Sequence, residues 1–512
     1  MHKSFVRFRI IENEYRDSMV LMYVSAHLKK AAGVEQALAI MGTENNKKLL
    51  KTIGLWGPEA ETAGPNDLII AVKAANEGIF ESALDQIEMI LSNRIESKSK
   101  GEAIYYTIES GARALPKASI AVISVPGPFA AREARRALEL GMNVFIFSDN
   151  VDVEEEVKLK RLAEKRGLLV MGPDCGTAIV NGTCLGFANA VQSGSIGIVG
   201  ASGTGIQEIC VLLDRAGLGI SHAIGTGGRD LSAAVGAITT LRAIDMLEAD
   251  PKTDQLIILS KLPEPQVAEA VLARISAGSK QTVVSFLTPD LPRGKNSVNT
   301  LEEAAMAAAA FAGKKIPLDS GEDESIEKEK ALLAPGQRFI RGLYCGGSLC
   351  EEAMLVWQNM PGDVWSNVPL RADLKLVDPS KSYGHSAIDL GDDFFTASRP
   401  HPMIDPAGRC ERLLSEAMDP ETGVVVLDVV LGYGVHPNMA GELASAITEA
   451  RTRSKKEGRH LAVVAYVCGT KADRQGLNDQ EEKLRTAGAI LAASNAGAAR
   501  MAARIVGDGG RK

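Results

Sequence analysis

Between residues 196 and 209 the chain reads IGIVGASGTGIQEI. An apolar strand ends in Gly200, and Ser202, Gly203 and Thr204 stand where a helix should begin. Amides in the first turn of a helix lack intrahelical partners and carry the positive end of the dipole, so this pattern can bind phosphate or carboxylate. Glycine admits a ligand to the backbone, and the two hydroxyls add donors. The same residues also suit a plain strand-to-helix turn capped by Ser or Thr. The lysine of a P-loop is missing, which argues against a Walker-type NTPase.

Two more glycine turns follow apolar strands. In GTGGRD (225–230), Gly227 and Gly228 offer amides and Arg229 a charge for a substrate carboxylate; a structural turn explains the segment equally well. In LGYGVHPN (431–438), Gly432 and Gly434 precede a helix with His436 at its mouth. A lone histidine is more often structural, but ligands of α/β sheets gather at the C-terminal ends of parallel strands. In SYGHSAIDLGDDFF (382–395), which holds His385 and Asp389, Asp392 and Asp393 either orient a cation or substrate or are solvated loop acids. Cys175 lacks an adjacent His or Lys that would activate it. The seven cysteines and seven histidines show no CxxC or HExxH spacing, so neither a metal site nor a disulfide framework is expected.

The elements that must position these turns alternate from residue 118 onward. ASIAVISVP, NVFIFSD and GLLVMGPD read as strands, with helices at 129–140 and 153–166. SIGIVG, GISHAIGTGG, LIILSKL and QTVVSFL follow, with helices at 204–216, 231–249 and 265–277 and an alanine-rich buried helix at 302–313. Continuous apolar strands between amphipathic helices predict parallel sheets covered on both faces. Residues 314–334 are acidic and read as a linker or surface helix. A third unit then repeats strand, glycine turn and helix in RFIRGLYCGGSLCEEAM, TGVVVLDVVLGYGVHPN and HLAVVAYVCGT. Before residue 115 the pattern shows only a strand at 66–76 and a helix at 78–97.

The 512 residues suggest roughly three domains. The formal charge of −7, with no basic block, argues against nucleic-acid binding. No run approaches the ~18 apolar residues of a membrane span. Acids near the N-terminus, where a signal peptide would be apolar, lead to an expectation of a cytoplasmic protein.

VISVPGPFAAREARRALELGMNVFIFSDNV…GLLVMGPDCGTAIV resembles the second half of the CoA-binding domain of the succinate–CoA ligase (acyl-CoA synthetase) superfamily. SIGIVGASGTGIQEI…AIGTGGRDLSAAVGAITTLRAIDMLEADPKTDQLIIL resembles the ligase domain of its α subunit. DLGDD…ERLLSEAMDPETGVVVLDVVLGYGVHPN is similar to the C-terminal ligase domain of its β subunit. The implied fold is a degenerate, Rossmann-like CoA-binding-type domain over 1–190, an α-like flavodoxin-like ligase domain over 191–315, a linker over 316–335 and a β-like ligase domain over 336–512.

The departures concern chemistry. No GxTGxxG precedes residue 115. The segment expected to hold the family's phosphohistidine reads SFLTPDLPRGKNSVNT, with Asn296 and Ser297 as nearest candidates, and no histidine lies between His222 and His385. The ATP-grasp half is absent. The resemblance still implies a phosphate held between helix N-termini, at Ser202, Gly203 and Thr204 on one side and Gly432, Gly434 and His436 on the other.

A fused chain without the histidine is that of the FdrA family, acyl-CoA synthetase-like. This resemblance implies a subunit of an oxamate carbamoyltransferase in purine (allantoin) catabolism. Phosphate or carbamoyl phosphate is then a substrate, other carbamoyltransferase subunits are hetero-oligomeric partners, and CoA is at most an added ligand. Within that reading, His436 orients phosphate or moves a proton, and Arg229 meets the oxamate carboxylate. Two alternatives are an acyl-CoA synthetase acting with an ATP-grasp partner and a non-catalytic ligand-sensing subunit.

Overall fold

The computed structural model describes residues 5–507 other than 15, 17–20, 22, 23, 26, 29, 30, 44, 45, 48, 49, 52, 85–104, 262, 289–295, 319–322, 397 and 398. Two compact units form: residues 1–105 with 395–400, and residues 106–394 with 401–512.

In the first unit, β1 (Phe5–Ile11), β2 (Val34–Met41) and β3 (Leu68–Ala74) make a sheet of order β1-β3-β2, with β3 antiparallel to both neighbours. Strand side chains alternate between faces. Ile70 and Val72 therefore pack with Val24, Leu28 and Phe80 on one side, while Ile69 and Ala71 pack with Leu50 and Leu55 on the other. This corrects the expectation of one Rossmann-like domain over 1–190, because antiparallel pairing fills the first 74 residues and parallel strands begin at Ile120. The helix expected at 78–97 is seen over 77–84, and its remainder lies outside the described residues.

The second unit contains three parallel-stranded layers. β4 (Ile120–Ile123), β5 (Asn143–Ile146) and β6 (Val170–Met171) form a small sheet with α1 (Gly127–Glu139) and α2 (Val153–Lys165) as crossovers. A hairpin, β7 (Thr177–Val180) and β8 (Thr183–Gly186), leads into the first lobe. That lobe comprises β9 (Ser193–Gly200), α3 (Gly203–Arg215), β10 (Ile220–Gly225), α4 (Ile238–Ala249), β11 (Gln255–Ser260), α5 (Pro265–Ser276), β12 (Gln281–Phe286), β13 (Ser297–Val298) and α6 (Leu301–Phe311). Its order, β13-β12-β11-β9-β10, is the flavodoxin-like 2-1-3-4-5 arrangement, extended by β7 and β8.

The second lobe follows a helix at Asp323–Leu332, α7, in the stretch read as linker or surface helix. It comprises β14 (Phe339–Tyr344), α8 (Gly347–Trp357), β15 (Val364–Ser366), β16 (His385–Asp389), α9 (Ala407–Glu416), β17 (Thr422–Val430), α10 (Met439–Lys456), β18 (Ala462–Cys468), α11 (Leu477–Thr486), β19 (Ile490–Ala492) and α12 (Asn495–Val506). The order β15-β16-β14-β17-β18-β19 is again flavodoxin-like, with β15 added at the edge. One continuous apolar core runs through both lobes, from Ile198, Ile206 and Leu301 to Leu349, Val426 and Ala498.

The helix expected at 231–249 starts only at Ile238. The Asp230 carboxylate accepts from the amides of Thr239 (3.2 Å) and Thr240 (2.8 Å), so a helix turn is built there and not directly after the 225–230 glycines.

Candidate functional site

Ligands of flavodoxin-like sheets bind where strand order reverses, beyond the C-terminal ends of the two strands flanking that point. In the first lobe these strands are β9 and β11, which deliver Ser202 and Lys261. In the second they are β14 and β17, which deliver the Cys345–Ser348 turn and the buried Asp428.

The two switch points meet. Ser202 is the N-cap of α3, its Oγ accepting from the Gly205 amide at 3.1 Å, and the same Oγ lies 2.5 Å from Ser348 Oγ in the first turn of α8. A methyl on Gly346 would stand 2.7 Å from Thr204 Cγ2 and 2.9 Å from its Cβ. Only glycine permits the two helix N-termini to approach this closely. Gly203, Thr204 and Gly347 are partly exposed, and no protein acceptor meets their amides among the described residues.

Asp428 holds the second turn in place. It stands in an otherwise apolar strand and accepts from the amides of Cys345 (2.9 Å) and Gly346 (3.1 Å) while pairing with buried Arg409 at 2.7 Å. A charge inside VVVLDVV was the sequence signal for this anchor.

Lys261 supplies the positive charge. Its Nζ is 3.1 Å from Glu351 Oε1, and a methyl on Gly347 would stand 3.0 Å from Nζ and 2.8 Å from Asp389 Oδ2. The side chain is 39% exposed although protein surrounds it, as expected in a recess. Burial opposes its charge, but Glu351 and Asp389 outweigh that and raise its pKa. Asp389 is buried, which pushes its carboxyl up to about 6 against the pull of Lys261 and the Gly391 amide. Asp174 also rises to about 6, through the surrounding protein and then Asp149, although its side chain still reaches solvent.

The structure separates the remaining sequence candidates from this recess. Gly432 and Gly434 have φ of +117° and +77°, and a methyl on Gly432 would stand 2.3 Å from the Ala188 carbonyl. The Gly432 amide donates to Gln475 and that of Tyr433 to Ala188, so this turn docks one lobe on the other. The amides facing Ser202 are instead those of the 346–348 turn. His436 braces its own loop, with Nδ1 accepting from the Asn438 amide at 3.1 Å and its amide donating to Met403.

Gly227 packs on the Pro173 carbonyl, and Gly228 lies against the Asp174 carboxylate; no helix begins at either. Arg229 is committed to Glu156 (2.9 Å) and the Val151 carbonyl (2.7 Å), beside the buried Lys160–Asp230 pair, which corrects its assignment to a substrate carboxylate. Cys175 is buried with its thiol pushed up to about 12, the state of an inert thiol. Asn296 donates to the Thr282 carbonyl, and residues 289–295 of the same segment lie outside the described residues.

Three family models match: "AllF, heavy metal-associated domain" over residues 2–105, "CoA binding domain" over 191–288 and "CoA-ligase" over 343–505. The chain is 45% identical over 511 residues to YahF of Escherichia coli (strain K12), covering 98% of this chain and 99% of that protein. It is 29% identical over 232 residues to the ADP-forming succinate–CoA ligase subunit alpha-2, mitochondrial, of Trichomonas vaginalis, covering 44% of this chain and 69% of that one. A dinucleotide-forming acetyl-coenzyme A synthetase 1 of Ca. Korarchaeum cryptofilum aligns with a TM-score of 0.30 and 17% identity over 80% of this chain and 86% of that chain.

Two of these descriptions bring a ligand with them. A soft heavy metal calls for thiolates, yet residues 2–105 contain no cysteine and only His2 and His27. Among the described residues no three His, Cys, Asp or Glu converge. The first unit does not fit such a metal. The CoA-binding match begins at residue 191, so its glycine turn is Gly200–Thr204, where Gly203 and Thr204 are partly exposed; the turn into α1, where a methyl on Gly127 would stand 2.3 Å from the Asp149 carbonyl, lies outside that match. Among the described residues no helix is long and apolar enough to cross a membrane.

Proposed function

The chain belongs with YahF to the acyl-CoA synthetase-like members of the succinate–CoA ligase superfamily, and from that premise we propose that it is a subunit of a carbamoyltransferase acting in allantoin catabolism, which converts oxalurate and phosphate to oxamate and carbamoyl phosphate. The observation that carries this reading is the pair of abutting helix N-termini at Ser202–Thr204 and Gly346–Ser348, with Lys261 beside them. The family model named for AllF supports the pathway.

Phosphate takes the amides of Gly203, Thr204 and Gly347, and Lys261 offsets its charge. One phosphate oxygen attacks the ureido carbonyl carbon of oxalurate. The new C–O bond gives a tetrahedral intermediate; its collapse breaks the C–N bond to the oxamate nitrogen, and the phosphate proton passes to that nitrogen. Asp389 is suited to carry it, since its pKa of about 6 lets it accept and return a proton near neutrality. No electron transfer and no CoA step are needed.

The test supplies oxalurate and inorganic phosphate, without ATP or CoA, to the chain purified with its co-eluting partners, and assays carbamoyl phosphate. Phosphate-dependent product is expected, with Lys261→Met raising the KM for phosphate at least tenfold. Absence of product with partners present refutes the transfer reading. The CoA-ligase and CoA-binding family matches favour a second reading, acyl-CoA synthesis with an ATP-grasp partner, which predicts ATP- and CoA-dependent acyl transfer instead.

A further inference from the structure

We infer that His401 is a catalytic residue of this site, its Nε2–H polarising the carbonyl that the bound phosphate attacks, so that the site takes ureido and amide substrates. The inference rests on the proposed transfer reading and adds a group that neither helix N-terminus supplies.

The loop after β16 brings His401 to the recess. A methyl on Gly391 would stand 2.7 Å from His401 Nε2, 3.1 Å from Asp389 Oδ1 and 3.2 Å from the Cys345 carbonyl oxygen. His401 Nε2 and Asp389 Oδ1 therefore both lie against Gly391, which puts the imidazole next to the carboxylate that neighbours Lys261. The Phe187 ring packs against the imidazole with centroids 5.7 Å apart and fixes its plane.

The tautomer follows from the backbone. His401 Nδ1 accepts the Met403 amide at 3.2 Å, so the neutral ring must carry its proton on Nε2. Burial, and then the charge of Arg409, lower its pKa to about 4, which keeps the ring neutral at pH 7. Nε2 has no hydrogen-bond partner among the described residues. The residue is partly exposed, so this N–H is open to a ligand.

The same geometry excludes a phosphoryl carrier. With Nδ1 occupied and Nε2 protonated, neither nitrogen has a free lone pair to attack phosphorus. A neutral N–H is suited instead to the oxygen of a carbonyl, where negative charge grows as the tetrahedral intermediate forms; the proton stays on Nε2 throughout.

The test compares the wild-type chain and its co-eluting partners with His401→Phe, His401→Gln and Gly391→Ala. Loss of one such donor costs about 10²–10³-fold in kcat. His401→Phe is expected to lose that much while inorganic phosphate binds within threefold of wild type. His401→Gln, which retains an N–H, should recover at least tenfold of the loss, and Gly391→Ala, whose methyl would stand 2.7 Å from Nε2, should lower kcat by displacing the ring.

A second measurement does not depend on turnover. In 15N-histidine spectra the His401 resonance should show the Nε2–H tautomer at pH 7 and shift when oxalurate is added without phosphate, which leaves the ureido carbonyl intact in the site. Turnover of His401→Phe within threefold of wild type, or an unshifted Nε2 resonance at saturating oxalurate without phosphate, overturns the inference. If oxalurate is not turned over but the resonance shifts, the transfer reading fails and the carbonyl site stands.

Discussion

Gly346→Ala tests the abutment of the two helix N-termini. The added Cβ would stand 2.7 Å from Thr204 Cγ2 and 2.9 Å from both its Cβ and Oγ1, whereas carbon atoms prefer about 3.5–4.0 Å. Rotating Thr204 moves Cγ2 and Oγ1 but leaves Cβ fixed to the backbone, so α3 and α8 must part by nearly an ångström. Overpacking of this kind costs about 1–3 kcal/mol. Parting also stretches the Ser202–Ser348 contact, now 2.5 Å, whose loss adds about 0.5–1.5 kcal/mol. The expected destabilisation is therefore about 1.5–4.5 kcal/mol.

Thr204→Gly removes all three clashing atoms at an intrinsic helix cost of only a few tenths of a kcal/mol. The double variant should thus be more stable than Gly346→Ala alone, with an interaction energy of about 1–3 kcal/mol in a double-mutant cycle. Urea unfolding reads stability, and calorimetry with inorganic phosphate reads the site. Because the amides splay, phosphate affinity of Gly346→Ala should fall about tenfold, which is 1.4 kcal/mol. A Gly346→Ala protein within 0.5 kcal/mol of wild type, or one not rescued by Thr204→Gly, refutes the close approach of the two termini.

Asp428→Ala strands buried Arg409 without its carboxylate and frees the Cys345–Gly346 turn, and should cost about 3–5 kcal/mol in a denaturation midpoint experiment; a loss below 1 kcal/mol would show that the turn holds itself. Arg229→Gln should lower thermal stability by uncovering buried Glu156 while leaving the KM for oxalurate within threefold, and a tenfold rise in KM would restore its sequence-based role. Burial raises Glu208 to about 7 and Glu352 to about 8 where the lobes pack. The folded state thus holds more protons than the unfolded chain, and stability should fall as pH rises from about 4.5 through 8. Glu208→Gln should flatten that dependence between about pH 4.5 and 7, and an unchanged slope there counts against a raised Glu208 carboxyl.

Local pattern was enough for the parallel lobes and for Ser202. An apolar strand, a glycine turn and an amphipathic helix state a βα unit within about 20 residues, and the N-cap hydroxyl needs nothing beyond its own helix. The same pattern could not say which glycine turns face a ligand. Gly432 and Gly434 look like a cradle in sequence, but their glycines serve positive φ and the approach of Ala188. The partner of Ser202 proved to be Ser348, 146 positions away, because the shared core turns α3 and α8 end to end. Lys261 and His401 were illegible for the same reason: one is a charge after a strand and the other a histidine between prolines until chain reversal places them at a switch point. In the first 105 residues, strand pairing joins segments some 60 positions apart in antiparallel order, which periodicity within any one of them does not encode. Short-range propensity and burial pattern are written along the chain; the convergence of charge and open amides at one place is a product of packing.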